Sequence, residues 1–248
     1  MRHREVLVRS LADLMKPLKK HVVADSVCWF RGQSDKNWGL IPKLARVGGI
    51  HLPKEDAIYK RFVQNATQLM DRPPAEQWDW LFLMQHHGAP TRLLDWTESP
   101  LVALYFATHD LSLDAIDSAF WCLDPIALNK KANVSFTYKL ELPAFTDKAL
   151  QNYLPDRVDP KAPMSPVAAI GPRLPKRMAA QSGAFTINHC THSALETLHD
   201  RQHVWRYIIP AAARATIRLE LKHLGYSSFT IFPDVDRVTE LIEREYLA

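Results

Sequence analysis

The densest run of side chains able to do chemistry is QHHGAPTRLLDWTESP, residues 85–100, set between two strongly apolar helical stretches. Polar groups crowded in such a place need partners or a ligand. His86 and His87 suit proton transfer, metal binding or helix capping. Being adjacent, they point to different faces, so at most one serves a given site, and His87 is the candidate carried forward. Arg92 is a candidate anion contact for a bound cofactor, and Asp95 and Glu98 are candidate catalytic carboxylates. In an extended segment, Arg92 and Asp95 project to opposite sides. Thr97 and Ser99 stand where the free N–H groups of a helix N-terminus favour ribose or phosphate oxygens. Two plainer explanations compete: Ser99 is a simple N-cap, and the whole stretch is a hydrogen-bonded knot that positions the next helix.

A second candidate lies upstream in WFRGQSDKNW, residues 29–38. Arg31 follows the apolar Cys28, Trp29 and Phe30, so a short strand would carry it to the sheet's edge. There its guanidinium could fork onto a phosphate or carboxylate. Gly32 would let a ligand approach closely, and Arg46 is a second candidate anion contact. A structural ion pair is the competing role for Arg31. Downstream, Gln181 in RMAAQSGAFTI precedes a strand entered through Gly183, and its amide could face a pocket or close a turn. His199 and His203, four apart, would share one helix face as metal-binding pairs do. No acidic or cysteine ligand accompanies them at a recognised spacing, so no metal site is assigned. No G-x-S-x-G elbow supports serine-hydrolase chemistry.

These residues must be positioned by the elements around them. Leu7, Leu11, Leu14, Met15 and Leu18 predict a first helix within residues 4–20, bent or shortened by Pro17. SVCWF, TRLLDW, AFWCLD, GAFTI and WRYIIP read as strands. A helix through Ile58, Phe62 and Leu69 and another over AEQWDWLFLMQHH, stopped by Gly88, follow from their apolar spacing. Ser99 as N-cap and Pro100 as first helical residue predict a helix to about Thr108. Pro155 to Pro175, rich in proline, is expected to hold no regular element. AAARATIRLELKHLG reads as a helix closed by Gly225, SSFTIFPD as a strand, and Val235, Val238, Ile242 and Tyr246 as one face of a last helix. Strands scattered among helices, without βαβ alternation, predict a single α+β domain with a mixed, mostly antiparallel sheet.

The chain of 248 residues is 47% hydrophobic, ample for a packed core, and its net charge of +4 is spread without basic runs. No stretch reaches the roughly 20 apolar residues of a membrane span, and the charged start does not open a signal peptide, so a cytoplasmic location is expected. Cys28, Cys122 and Cys190 read as buried thiols.

WFRGQSDKNWGLIPKLAR, QHHGAPTRLLDWTESPLVALYFAT, RMAAQSGAFTINH and SSFTIFPDVDRV resemble the successive blocks of the FRG domain, named for its Phe-Arg-Gly motif. The resemblance divides the chain into a helical lead over residues 1–25 and the domain over 26–248, with the proline-rich loop 155–175 inside it. A fainter likeness links the chain to ADP-ribosyltransferases of the Arg-Ser-Glu type. Phe30-Arg31-Gly32, Thr97-Glu98-Ser99 and Gln181-Ser182-Gly183 fall in the order of that family's motifs. It implies an ADP-ribosyltransferase-like fold with NAD as substrate, Arg31 on the phosphates, and Thr97 and Ser99 supporting the nicotinamide pocket. Gln181 stands where that family has glutamate. A neutral amide can bond a ribose hydroxyl but supplies no negative charge, so Asp95 or Glu98 would have to provide it. The likeness further implies an acceptor on protein or nucleic acid and a toxin or antiviral defence role. A non-catalytic nucleotide- or nucleic-acid-binding module is the alternative, and a metal-assisted nuclease using a histidine with Asp95 a remoter one.

Overall fold

A computed structural model describes residues 6–22, 26–46, 52–132, 142–171, 183–191, 193–233, 238, 239, 242 and 246. Its centre is a seven-stranded sheet: β1 (Val6–Leu7), β2 (Trp29–Gln33), β3 (Leu93–Thr97), β4 (Ser118–Leu123), β5 (Val167–Ala169), β6 (Gly183–Ile187) and β7 (Val204–Ile209). The spatial order is β1-β7-β4-β2-β3-β6-β5. β1 runs parallel to β7, and every other pairing among these seven strands is antiparallel. The helices are α1 (Leu11–His21), α2 (Leu52–Thr67), α3 (Gln77–His86), α4 (Pro100–Thr108), α5 (Pro125–Lys131), α6 (Ala211–His223) and α7 (Ser228–Ile231). This is the expected α+β domain with a mixed, mostly antiparallel sheet.

Period-two alternation sends each strand's side chains to two different cores. One face of the sheet is covered in two halves. Phe30 of β2, Phe120 and Cys122 of β4, and Tyr207 and Ile209 of β7 pack with Leu14 and Leu18 of α1, Ala103 and Ala107 of α4 and Ile217 of α6. Leu93 of β3, Phe185 and Ile187 of β6, and Val167 of β5 pack instead with Trp78, Leu81 and Phe82 of α3. The opposite face is a single core: Trp29, Leu94, Trp96, Trp121 and Ala184 lie there with Leu128 of α5. Each such large apolar side chain contributes about 1.5–3 kcal/mol on full burial. The two halves of the divided face meet over the junction of β2 with β3, and the site lies at that seam.

Local signals placed most of these elements. Ser99 caps α4 by accepting from the Val102 N–H, with Pro100 in the first turn. Gly88 and Gly225 end α3 and α6 at φ +71° and +84°, the left-handed region that glycine enters without a Cβ penalty.

Other expectations are corrected. Val6–Leu7 is an edge strand on β7, and α1 begins only after Ser10, whose side chain caps it by accepting from the Asp13 N–H. α1 then continues through Pro17 to His21. Within the proline-rich stretch, Val167–Ala169 forms an edge strand that is fully buried. Pro166 immediately precedes it, where the missing N–H removes no ladder bond. SSFTIFPD begins with a helical turn, because Ser227 and Thr230 form a reciprocal capping box. Residues 195–197 form a 3-10 turn, and His199 and Arg201 take positive φ of 50° and 58°, so no helix carries His199 and His203. Of the thiols, Cys122 is buried while Cys28 and Cys190 are half-buried, and all three are free. Of the last-helix reading, Val238, Ile242 and Tyr246 are helical but exposed, and Val235 lies outside the described residues. Among the described residues no helix is long and apolar enough to cross a membrane.

Candidate active site

The ladder between β2 and β3 consists of one residue pair, Phe30 opposite Thr97. On its other edge β2 pairs with β4 along its whole length, from Trp29 with Leu123 to Gln33 with Ala119. β3 likewise pairs fully with β6, from Leu93 with Ile187 to Thr97 with Gly183. The sheet is therefore stitched completely on both sides of a central junction that is closed at only one end. A cleft of about 210 Å³ occupies the open end. Its lining comes from Phe30, Arg31 and Gly32 of β2 and Asp95, Trp96 and Thr97 of β3. Phe82, Gln85 and His86 of α3, Phe106 of α4 and Phe185 of β6 complete it.

Arg31 crosses the junction. Its Nη1 donates to the Asp95 carbonyl oxygen at 2.6 Å, where a backbone ladder would otherwise bond. Its Nε is buried and has no hydrogen-bond partner. Burial lowers the Arg31 pKa to about 10; Asp95 opposes that shift and Arg46 adds to it by like-charge repulsion. With its Nε buried and unpaired, the half-buried guanidinium keeps unfilled bonding capacity, and an anion would satisfy it.

The Asp95 carboxylate is held from the other side. Gln85 Nε2 donates to Asp95 Oδ2 at 2.6 Å, and the Thr91 hydroxyl donates to Gln85 Oε1. Aromatic rings from four elements, Phe30, Phe82, Phe106 and Phe185, form apolar walls around these charges. An apolar hollow with a few convergent polar groups is the ordinary form of a small-molecule site.

Arg31, Asp95 and Thr97 thus share one cleft with Phe30. Thr97 Oγ1 accepts the Ser99 N–H at 3.0 Å, and Ser99 Oγ caps α4, so this corner satisfies its own backbone; Ser99 does not line the cleft. Glu98 is exposed and outside the lining. His86, not His87, reaches the cleft, while His87 is exposed beyond the end of α3.

Two assignments change character. Arg31 is mid-strand in a central strand of the sheet, not at its edge. Arg92 is fully buried and paired with Glu55 of α2 through Nε at 2.7 Å and through Nη2. Its Nη1 donates to the carbonyls of Tyr153 and His189 at 3.2 and 3.1 Å. Arg92 therefore ties α2 and two loop segments to the start of β3 and cannot reach a ligand in the cleft. Gly32 also has a packing reason: a Cβ there would lie 2.5 Å from Ala107 N and within bonding range of the Ala103 carbonyl. The backbone of α4 rests directly on β2 at this point.

Gln181 lies outside the described residues. His199 and His203 have ring centroids 6.1 Å apart, yet among the described residues no group of three His, Cys, Asp or Glu could hold a metal ion. Sequence reasoning missed Gln85 and Phe82. Their signal was helical spacing, since Phe82, Gln85 and His86 stand at i, i+3 and i+4 on one face of α3.

Comparison with curated proteins and with solved structures finds no match to this chain. The FRG domain family model matches residues 26–115, the stretch that supplies both strands of the split junction and all of the cleft except Phe185. Residues 26–115 are thus an FRG-domain stretch, and the cleft is built almost entirely from them.

Proposed function

We propose that the cleft binds a nucleotide and that its chemistry is ADP-ribosyl transfer with NAD as the substrate. The observation that carries this reading is the meeting of Arg31, Asp95 and Thr97 in one aromatic-walled hollow where the central sheet is left unstitched. At about 210 Å³ the hollow is smaller than the roughly 300–1,000 Å³ of sites for whole drug-sized ligands, which suits one ring and its sugar with the rest of a dinucleotide extending outward. The phenylalanine faces take the nicotinamide ring, and Arg31 takes the pyrophosphate.

In the reaction, the C1′–N bond breaks and its electron pair passes to the nicotinamide nitrogen, which loses its positive charge. The ribose becomes oxocarbenium-like, and the Asp95 carboxylate stabilises it. The acceptor's lone pair then bonds C1′, and its proton passes to Asp95 and on to water. The acceptor is a nucleophile on protein or nucleic acid, and modifying it would suit a cytoplasmic toxin or defence effector. Asp95 would supply the charge for which the resembled transferases use glutamate and for which Gln181 offers only an amide.

The second reading, a binding module without turnover, is favoured by the same neutral Gln181. Calorimetry with NAD, run beside chromatographic detection of released nicotinamide, separates the two. The transferase reading expects binding and release by the wild type, weaker binding by Arg31→Lys, and binding without release by Asp95→Asn. Heat without nicotinamide release gives the binding module. Neither heat nor release overturns both.

A further inference from the structure

The geometry points to Gln85 and Thr91 as positioning residues that fix which oxygen of Asp95 works, an inference that rests on the nucleotide reading above. The bonds form a directional relay. The Leu93 N–H donates to Thr91 Oγ1 at 3.1 Å, so that oxygen is already an acceptor and its own proton is turned outward. That proton goes to Gln85 Oε1. With its oxygen engaged, the Gln85 amide must present Nε2 to Asp95, and it donates to Oδ2 at 2.6 Å. The orientation of the amide is thereby decided by chemistry, since the reversed amide would set N–H against hydroxyl proton and oxygen against carboxylate.

Two consequences follow for Asp95. Its backbone carbonyl is gripped by Arg31 from β2 and its Oδ2 by Gln85 from α3, so the residue is clamped from both walls of the cleft. Because Gln85 holds Oδ2 as an acceptor, a proton taken up by the carboxyl resides on Oδ1. Oδ1 is therefore the oxygen that faces the ribose and receives the acceptor's proton, while Oδ2 is held fixed. A bond to a charged group is also stronger than a neutral one, and a chain of such bonds reinforces itself.

The relay makes a distinction that a merely structural role does not. Thr91→Val keeps the shape of the side chain and removes the hydroxyl; Thr91→Ser removes a methyl and keeps it. Thr91 is 1% exposed, so on packing grounds the serine should be the worse replacement. The relay expects the opposite in catalysis. Nicotinamide release and NAD affinity are measured for the wild type, Gln85→Leu, Gln85→Glu, Thr91→Val and Thr91→Ser, with a denaturation midpoint for each.

Gln85→Leu is expected to lower kcat about 10- to 100-fold with NAD affinity within about twofold of wild type, the loss of one charge-assisted bond. Thr91→Val should fall in the same direction and Thr91→Ser should retain most of the rate. Gln85→Glu places two carboxylates together, which then share a proton, so its rate profile should gain a second ionisation. Unchanged kcat in Gln85→Leu, or Thr91→Ser slower than Thr91→Val, overturns the relay while leaving NAD cleavage intact. A wild type that neither binds nor cleaves NAD instead removes the reaction on which the relay rests.

Discussion

Replacing Gly32 by alanine adds one methyl group at the most crowded backbone contact of the β2–α4 interface. The new Cβ would stand 2.5 Å from Ala107 N and 2.9 Å from the Ala103 carbonyl carbon. Ordinary non-bonded contact lies near roughly 3.5 Å, and the Ala103 carbonyl oxygen would be nearer still, so α4 would have to retreat by roughly 1.5 Å. None of these atoms can turn aside, because all belong to the hydrogen-bonded backbone of the helix. Inserting a methylene into a packed core costs about 1–3 kcal/mol and occasionally more, and two rigid backbones place this case near 3 kcal/mol. For a chain of this size that lowers Tm by roughly 6–12 °C. Thermal and urea denaturation of Gly32→Ala measure it. Since α4 also carries Phe106, a wall of the cleft, ligand affinity should fall with stability. A Gly32→Ala protein that unfolds within about 2 °C of wild type would refute the packing account and return Gly32 to the role of clearing space for a ligand.

Arg92→Met strands the buried Glu55 carboxylate and should cost about 3–5 kcal/mol in urea unfolding, whereas Arg92→Met with Glu55→Leu should recover at least half of it; equal losses would argue against the pairing. His203 is fully buried, donates from Nε2 to the Leu195 carbonyl at 3.0 Å, and leaves Nδ1 without a partner, so burial lowers its pKa to about 4. Above its ordinary value near 6.5 it is neutral in both states; below that the unfolded chain binds a proton that the fold refuses until about pH 4. Stability should therefore decline through this window by about 3 kcal/mol, and His203→Gln should flatten that slope; parallel pH curves for the two proteins would contradict it. Gly88→Ala meets no atom within 4 Å yet must hold φ +71°, so it should cost about 1–2 kcal/mol by denaturation, with Gly88→Asn closer to wild type.

What the sequence disclosed depended on whether the signal was local. Ser99, Pro100, Gly88 and Gly225 act within one turn of their own helices: α4 begins, and α3 and α6 end, where those residues imply. The short β5 is held by its ladder to β6 and by burial of Val167, Ala168 and Ala169, partners that no local window contains, so the prolines around it dominated the reading. The site divides in the same way. Arg31, Asp95 and Thr97 were identifiable by residue type and motif, but the split that brings them together is a pairing that stops, and a stopped ladder leaves no mark in composition. Arg92 looked as reactive as Arg31, and only Glu55, thirty-seven positions away, reveals it as a staple. Gln85 carried no role of its own in the sequence, and its place between Thr91 and Asp95 is set by contacts six and ten positions away.

The most direct test is where a dinucleotide binds. A crystal structure of the Asp95→Asn variant grown with millimolar NAD is expected to hold the nicotinamide ring among Phe30, Phe82, Phe106 and Phe185, with the pyrophosphate on Arg31. Density for NAD elsewhere on the protein, or an empty cleft at saturating NAD, would contradict it.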